Sequence, residues 1–354
     1  MAKGYKEVFD ILRREILAGK YDDSKRLPSQ EALSRRFGVS RPVVSRATLD
    51  LKREGLISTR KGAVSTITRY ALNATGVLGI VVPGRGYAEI LSPLEYRLER
   101  LAERSGWDLI HGEIKSPDPA IRARETRRLA YRFSQEHVAG VFFQPLEFMK
   151  DSSKANEEIV GYFDRAGISV VLLDYDIVPS PARSKYDVVG IDNVAAGLAA
   201  GRHLIATGSK RIAFLHRVNA APTITNRMRG VASAVFESGG KWSLEHNVLF
   251  ADPGNRRAVA KFLERERPDA VVAGNDIAAA ELARTFAKIG GWVEKTRLVG
   301  FDDVAVAEKI GLTTVHQPID AIAEAAMHAL VSRIKTPDLP ARTILLDVEL
   351  KIRN

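Results

Sequence analysis

The stretch LPSQEALSRRFGVSRPVVSRATLDLKREGLI, residues 27–57, decides how the front of this chain folds. Ser29 is a good N-cap for a short helix whose Leu33 and Phe37 point inward, and Gly38 supplies the sharp exit before Val39. Ser40 caps a further helix. Pro42 sits in its first turn, where a missing N–H costs nothing, and Val44, Ala47 and Leu51 form the buried stripe. Gly55 terminates it. Upstream, Tyr5, Val8, Leu12 and Ile16 recur at helical spacing until Gly19. Downstream, Leu56–Arg60 and Val64–Thr68 are β-rich runs joined by Lys61-Gly62-Ala63, which predicts a small hairpin. Three helices and a hairpin read as a winged helix-turn-helix over residues 1–70.

Charge marks the same segment. Residues 1–70 carry 16 Lys and Arg against 8 Asp and Glu, a net of +8 out of the chain's +10. A concentrated positive patch is what counterion release from phosphates requires, so double-stranded DNA is the expected partner of this module. The first turns of the helix after Ser40 offer Arg41, Ser45 and Arg46 to base edges. Arg35, Arg36, Lys52, Arg53, Arg60 and Lys61 suit phosphate positioning, and Ser40, Pro42 and Gly62 complete the expected DNA-binding set.

From Val77 the texture changes to short continuous apolar runs, each followed by an amphipathic stretch: Val77–Val82, Val138–Phe143, Val170–Leu173, Ile212–Leu215, Ala270–Ala273 and Leu298–Phe301. Buried parallel strands look like this, which predicts an α/β, doubly wound architecture for residues 77–354, with Tyr70–Gly76 as a short linker. The chain has no cysteine, no apolar signal core and no run long enough to span a membrane, so a cytoplasmic protein without a membrane partner is expected.

Several enzyme readings fail on the residues. Gly84-Arg85-Gly86 lacks the third glycine of a dinucleotide fingerprint, with Glu89 in its place. The seven histidines are scattered singly, without metal-ligand spacing, and no Gly-x-Ser-x-Gly elbow or Walker loop is present. No cofactor, metal or catalytic residue is expected. Carboxylates across a cleft leave a glycosidase as a distant alternative, and a sugar-sequestering protein with a nonspecific basic head as a nearer one.

Residues 5–68 resemble the GntR-type winged-helix head in Leu27-Pro28-Ser29, Phe37-Gly38-Val39-Ser40-Arg41 and Leu51-Lys52-Arg53-Glu54-Gly55-Leu56-Ile57. Residues 77–354 resemble the periplasmic-binding-protein-like core of LacI/GalR-type repressors. The motifs run in order: Gly79-Ile80-Val81-Val82-Pro83, Leu172-Leu173-Asp174, Val189-Gly190-Ile191-Asp192-Asn193, Arg227-Met228-Arg229-Gly230, Gly274-Asn275-Asp276, Val299-Gly300-Phe301-Asp302-Asp303 and Leu312-Thr313-Thr314-Val315-His316-Gln317-Pro318. The resemblance implies a ligand-responsive transcriptional repressor, a homodimer on a pseudo-palindromic operator, and a two-lobed core. Lobe 1 is expected over about 77–188 and 319–337, and lobe 2 over about 189–318 and 338–354.

Ligands of open α/β lobes sit beyond the carboxyl ends of strands, where Asp174, Asp276 and Asp302 fall. The resemblance puts Arg227 and Asp302 first as the clamp for hydroxyls of a sugar-like effector, then Asn275, Asp276 and Asp174, with the ring of Tyr87 as a cover; a nucleoside or another polyol-like metabolite is the alternative effector class. Asp192 and Asp303 are expected to cap helices or brace loops.

Overall fold

In the computed structural model the described residues are all but 1–3, 18–19, 22–23, 60–63, 68–75, 83–89, 113, 115, 117, 137, 293–294 and 354. Arg60, Lys61, Gly62 and Tyr87, Gly19, and the linker residues Tyr70 to Thr75, therefore lie outside them.

The helical spacing in the head translates directly into packing. Helices α1 (Tyr5–Leu17), α2 (Gln30–Phe37) and α3 (Arg41–Arg53) bury Val8, Leu12, Ile16, Leu33, Val44, Ala47 and Leu51 in one core. The Ser29 hydroxyl accepts from the Ala32 N–H at 3.2 Å, which starts α2. Gly38, with φ +65°, ends it in the left-handed region that a side chain disfavours. Strands β1 (Ile57–Ser58) and β2 (Thr66–Ile67) pair antiparallel, the expected hairpin in shortened form.

Behind the head, the apolar runs form two six-stranded sheets. The first has the order β13-β7-β6-β5-β3-β4, all parallel. Its strands are β3 (Val77–Val81), β4 (Asp108–His111), β5 (Gly140–Phe143), β6 (Ser169–Leu173), β7 (Asp187–Ile191) and β13 (Thr343–Leu346). The second has the order β14-β12-β11-β10-β8-β9, parallel except for the β12–β14 pair. It comprises β8 (Ile212–His216), β9 (Val248–Phe250), β10 (Ala270–Ala273), β11 (Arg297–Asp302), β12 (Thr313–His316) and β14 (Glu349–Lys351). Central strands such as β5 and β10 are buried along their whole length, so they read as unbroken apolar runs rather than alternating ones.

Two expected lobe boundaries need correction. Val189 lies inside β7, whose neighbours β6 and β13 both belong to the first sheet, so the chain crosses only after Ile191. Asp192 then caps helix Asn193–Ala206 by accepting from Val194 N and Ala195 N at 3.0 and 2.9 Å. The segment after residue 337 does not belong to one lobe: β13 joins the first sheet and β14 the second. An apolar run shows that a strand is buried but not which sheet receives it, and both errors follow from that. The chain returns to the first sheet with helix Ile319–Lys335, which packs on β5, β6 and β7.

Candidate functional site

Two surfaces carry chemistry, one on the head and one between the sheets. On the head, burying Val44, Ala47, Thr48 and Leu51 turns the opposite side of α3 to solvent: Arg41, Pro42, Ser45, Arg46, Leu49, Lys52 and Arg53. Thr48 fixes this presentation by donating to the Ser45 carbonyl at 3.0 Å and receiving Gln30 Nε2 at 3.4 Å, a tie between α2 and α3. The Ser40 side chain makes no capping hydrogen bond, although Ser40 occupies the N-cap position. Arg41 faces Glu31 at 3.4 Å with both side chains well exposed, and Arg46 lies 4.1 Å over the Tyr5 ring. Such surface contacts are weak enough for a phosphate or base to replace. Arg35 and Lys52 are exposed and make no ion pair among the described residues.

Arg36 is differently placed. It donates from Nη1 to Glu15 at 2.7 Å and to the Tyr21 hydroxyl at 3.0 Å, and Nη2 also meets Glu15. The Arg36 guanidinium, against the opposing cost of burial, pulls the Glu15 carboxyl down to about 2. Arg36 therefore braces α2 against α1, a role a helical-face reading of the sequence does not reveal. Because the folded value is depressed, this contribution is complete above the unfolded carboxylate range and is lost as pH falls from about 4.5 toward 2. Glu15→Gln is expected to lower the melting temperature of the head at pH 7 and to flatten its loss of stability over that acid interval, which circular dichroism melts will check.

Between the sheets, the loops at the carboxyl ends of β5, β6, β8, β10 and β11 converge on one cleft. Its polar lining is Gln144, Glu147, Asp174, Thr223, Arg227, Asn275, Asp302 and Gln317, and its apolar walls include Leu91, Leu94, Phe148, Ile224, Ile319 and Ile322. The cavity they enclose has a volume of about 70 Å³. Arg227 is 3% exposed; Nε donates to Asn193 Oδ1 at 2.8 Å and Nη1 to the Gly274 carbonyl at 2.6 Å. Asp302 faces it at 3.6 Å and accepts from Gln317 Nε2 at 2.7 Å. Burial pushes the Asp302 carboxyl up to about 6 against the pull of Arg227.

Asp174 has φ +76° and receives Thr223 Oγ1 at 3.5 Å; burial raises its carboxyl, with Arg227 opposing. Asn275 lines the cleft while its Oδ1 accepts from Ala278 N at 2.8 Å, capping the helix that follows. Asp276 does not reach the cleft. It is fully buried beneath it, where Oδ1 takes the Thr314 hydroxyl at 2.6 Å and Oδ2 the Val304 N–H at 3.0 Å. Because it is the first residue of the helix that Asn275 caps, its side chain turns back under the sheet, and the expectation that it contacts ligand is corrected to a bracing role. Asp303 is likewise occupied, by His316 Nδ1 at 2.9 Å and Arg353 Nη2 at 2.5 Å.

Glu147 and Gln144 were missed by the sequence reading, although both follow β5 directly and the carboxyl-end rule that found Asp174 applies to them equally. Glu147 accepts the Ala221 N–H at 3.3 Å; burial and then the nearby Asp174 push its carboxyl up to about 7. The Phe148 N–H meets the Asn219 carbonyl at 2.7 Å, and Arg217 lies 4.9 Å over the Phe148 ring. With Thr223 on Asp174, these contacts join the two halves across the cleft.

Residues 4–67 match the family described as bacterial regulatory proteins, gntR family, and residues 202–354 match the periplasmic binding protein-like domain. The chain is 28% identical over 290 residues to the HTH-type transcriptional regulator DegA of Bacillus subtilis (strain 168), covering 79% of this chain and 80% of the relative. It is 30% identical over 268 residues to the HTH-type transcriptional repressor PurR of Escherichia coli O1:K1 / APEC, covering 73% of this chain and 72% of the relative. Among solved structures, a transcriptional regulator CelR–cellobiose complex superposes with a TM-score of 0.66 at 22% identity, over 92% of this chain and 99% of the other. A matching head, a matching core and a repressor aligned over most of both chains establish that this chain belongs to the LacI-type, periplasmic-binding-protein-like family of ligand-responsive transcriptional regulators, with a gntR-type winged helix as its DNA-binding head.

Proposed function

We propose that the protein represses transcription as a cytoplasmic homodimer, without enzymatic activity of its own, by seating two α3 helices in adjacent major grooves of a pseudo-palindromic operator. A sugar-like effector in the cleft would set the affinity. The observation that carries this reading is the joining of a charge-bearing helix face on the head to a cleft where Arg227, Asp302, Asn275 and Asp174 converge in one chain. Arg41, Ser45 and Arg46 supply base contacts, and Arg35 and Lys52 supply phosphate contacts. The relatives support an effector of this class: the CelR structure is titled a cellobiose complex, and a LacI family regulator from Enterococcus faecium is titled with bound ribose. In an open α/β lobe, carboxylates accept from neighbouring hydroxyls while the arginine fork donates to ring or hydroxyl oxygens.

The reading also requires the effector to discriminate between two arrangements of the halves, since equal affinity for both shifts nothing. The Glu147–Ala221, Phe148–Asn219 and Asp174–Thr223 contacts are the ones such a change would break and remake. Fluorescence anisotropy on the chain's own upstream DNA tests the head. Arg41→Ala and Arg46→Ala are each expected to weaken operator binding about tenfold or more, the value of one good base contact, with effector affinity unchanged. Wild-type affinity in both variants would remove α3 as the reading element.

A further inference from the structure

Charge in the cleft is out of balance. Among the described residues lining it, Glu147, Asp174 and Asp302 are acidic, and Arg227 is the one cation. Arg227 is already committed to Asn193, the Gly274 carbonyl and Asp302. Glu147 and Asp174, both from the first half, receive a backbone N–H at 3.3 Å and a hydroxyl at 3.5 Å, which are neutral and long. Beside them stands Gln144, 4% exposed, on the same wall of the cleft, with no hydrogen bond to its side-chain amide among the described residues. Gln144 thus lines the cleft as a polar side chain on the same wall as the two carboxylates.

We propose that the effector carries a protonated amine, held by Glu147 and Asp174 with Gln144 beside it, while its hydroxyls go to Arg227, Asp302 and Asn275; its chemical class is an amino sugar or amino polyol. The proposal rests on the cleft being the effector site. Two carboxylates whose hydrogen-bond partners are a backbone N–H and a hydroxyl are matched by a cation far better than by a hydroxyl, since hydrogen bonds between charged partners are roughly twice as strong. The raised carboxyls fit this arrangement, because a bound ammonium stabilises their ionised forms. Glu147 faces Asp174, Arg122 and Arg227, and with burial pushing its carboxyl up to about 7 it gives up a proton when the amine enters. Amine affinity therefore rises with pH through about 5.5 to 7.5 while the ligand stays protonated.

Isothermal titration of the full chain at pH 7 with glucosamine, galactosamine and mannosamine, each against its neutral parent and its N-acetyl form, tests the inference. One or more of the amines is expected to bind at least about tenfold more tightly than its two neutral counterparts. Glu147→Gln and Asp174→Asn should each erase that preference; both are near-isosteric, and asparagine tolerates the positive φ at 174. Glu158→Gln, on an exposed ion pair with Arg127 away from the cleft, should retain it. Melting curves without ligand verify that each variant is folded. Neutral sugars binding as well as amines, with a response lost in Arg227→Ala, would overturn the amine and leave the sugar cleft standing. An amine preference that survives both carboxamide variants would place the cation elsewhere and also overturn it. No binding by either class would overturn this inference together with the reading it rests on.

Discussion

Arg227→Ala is expected to destabilise the core by about 3–5 kcal/mol and to abolish the effector-induced rise in melting temperature. The side chain is buried, lies 4.6 Å over the Phe301 ring and fills the space between Asn193, Gly274 and Asp302. Removing it leaves the Gly274 carbonyl unpaired and the Asp302 carboxylate without its cation in a site of low dielectric. Asp302 would then hold its proton to a higher pH than it does now, when burial already pushes it up to about 6. The loss should consequently be greater at pH 8 than at pH 5, where the lone carboxyl is neutral. Combining Arg227→Met with Asp302→Asn should recover part of the stability, since no buried charge is left unbalanced, but should not recover the ligand response. Thermal denaturation with and without effector at the two pH values measures both effects. A single variant that melts like the wild type and still responds would show that the pair neither braces nor binds.

The second large effect is expected from a glycine distant in sequence from any ligand contact. Helices Asn193–Ala206 and Pro222–Glu237 approach so closely that a Cβ on Gly197 would fall 1.9 Å from the Arg227 carbonyl oxygen, and one on Gly230 would fall 2.1 Å from that of Val194. Alanine in a helix interior is favoured over glycine by about 1 kcal/mol from propensity, so the sign of Gly197→Ala depends on the clash. Backbone atoms cannot rotate away, and the clash wins: a net loss of about 3 kcal/mol or more is expected, at or beyond the usual upper range for overpacking. Gly201→Ala, whose Cβ would meet the side chain of Ala234 at 2.6 Å, should cost less. Because the displaced helix carries Arg227, Gly197→Ala should also weaken the effector response while sparing the winged helix. Urea denaturation ranks the two variants, and a stabilised Gly197→Ala would mean the helices do not touch.

The sequence revealed most of the head because its stripe, its caps and Gly38 all act locally. Val44, Ala47 and Leu51 are buried for the same reason that they are spaced as they are. The strands with unbroken apolar runs were equally legible, whereas β4, β9, β13 and β14 were not. All four are edge strands; β4, β13 and β14 are partly exposed and mixed in character, and β9 and β14 have only three residues each. At the cleft, the carboxyl-end rule located Asp174 and Asp302, yet it could not separate Asp302 from Asp276. Asp302 ends β11 and Asp276 follows β10 by three residues, and only the turn of the Asp276 side chain beneath the sheet distinguishes them. Gln144 and Glu147 sit in the loop Gln144-Pro145-Leu146-Glu147 with no residue pattern that sets them apart from surface. The brace that Arg36 makes is not legible in the sequence because its partner Glu15 lies on another helix, 21 residues earlier.

The nine residues 343–351 lay one strand along each sheet, and Asp187 of the first sheet is gripped there by Arg342 at 2.7 Å as well as by Arg333. During synthesis the winged helix is finished once Ile67 has emerged, but neither half of the core can close its edge until this short tail appears. The reading helix α3 is thus complete long before the two sheets that flank the cleft are closed. Ribosomes stalled just short of Thr343 should carry a reader that is deaf to every metabolite.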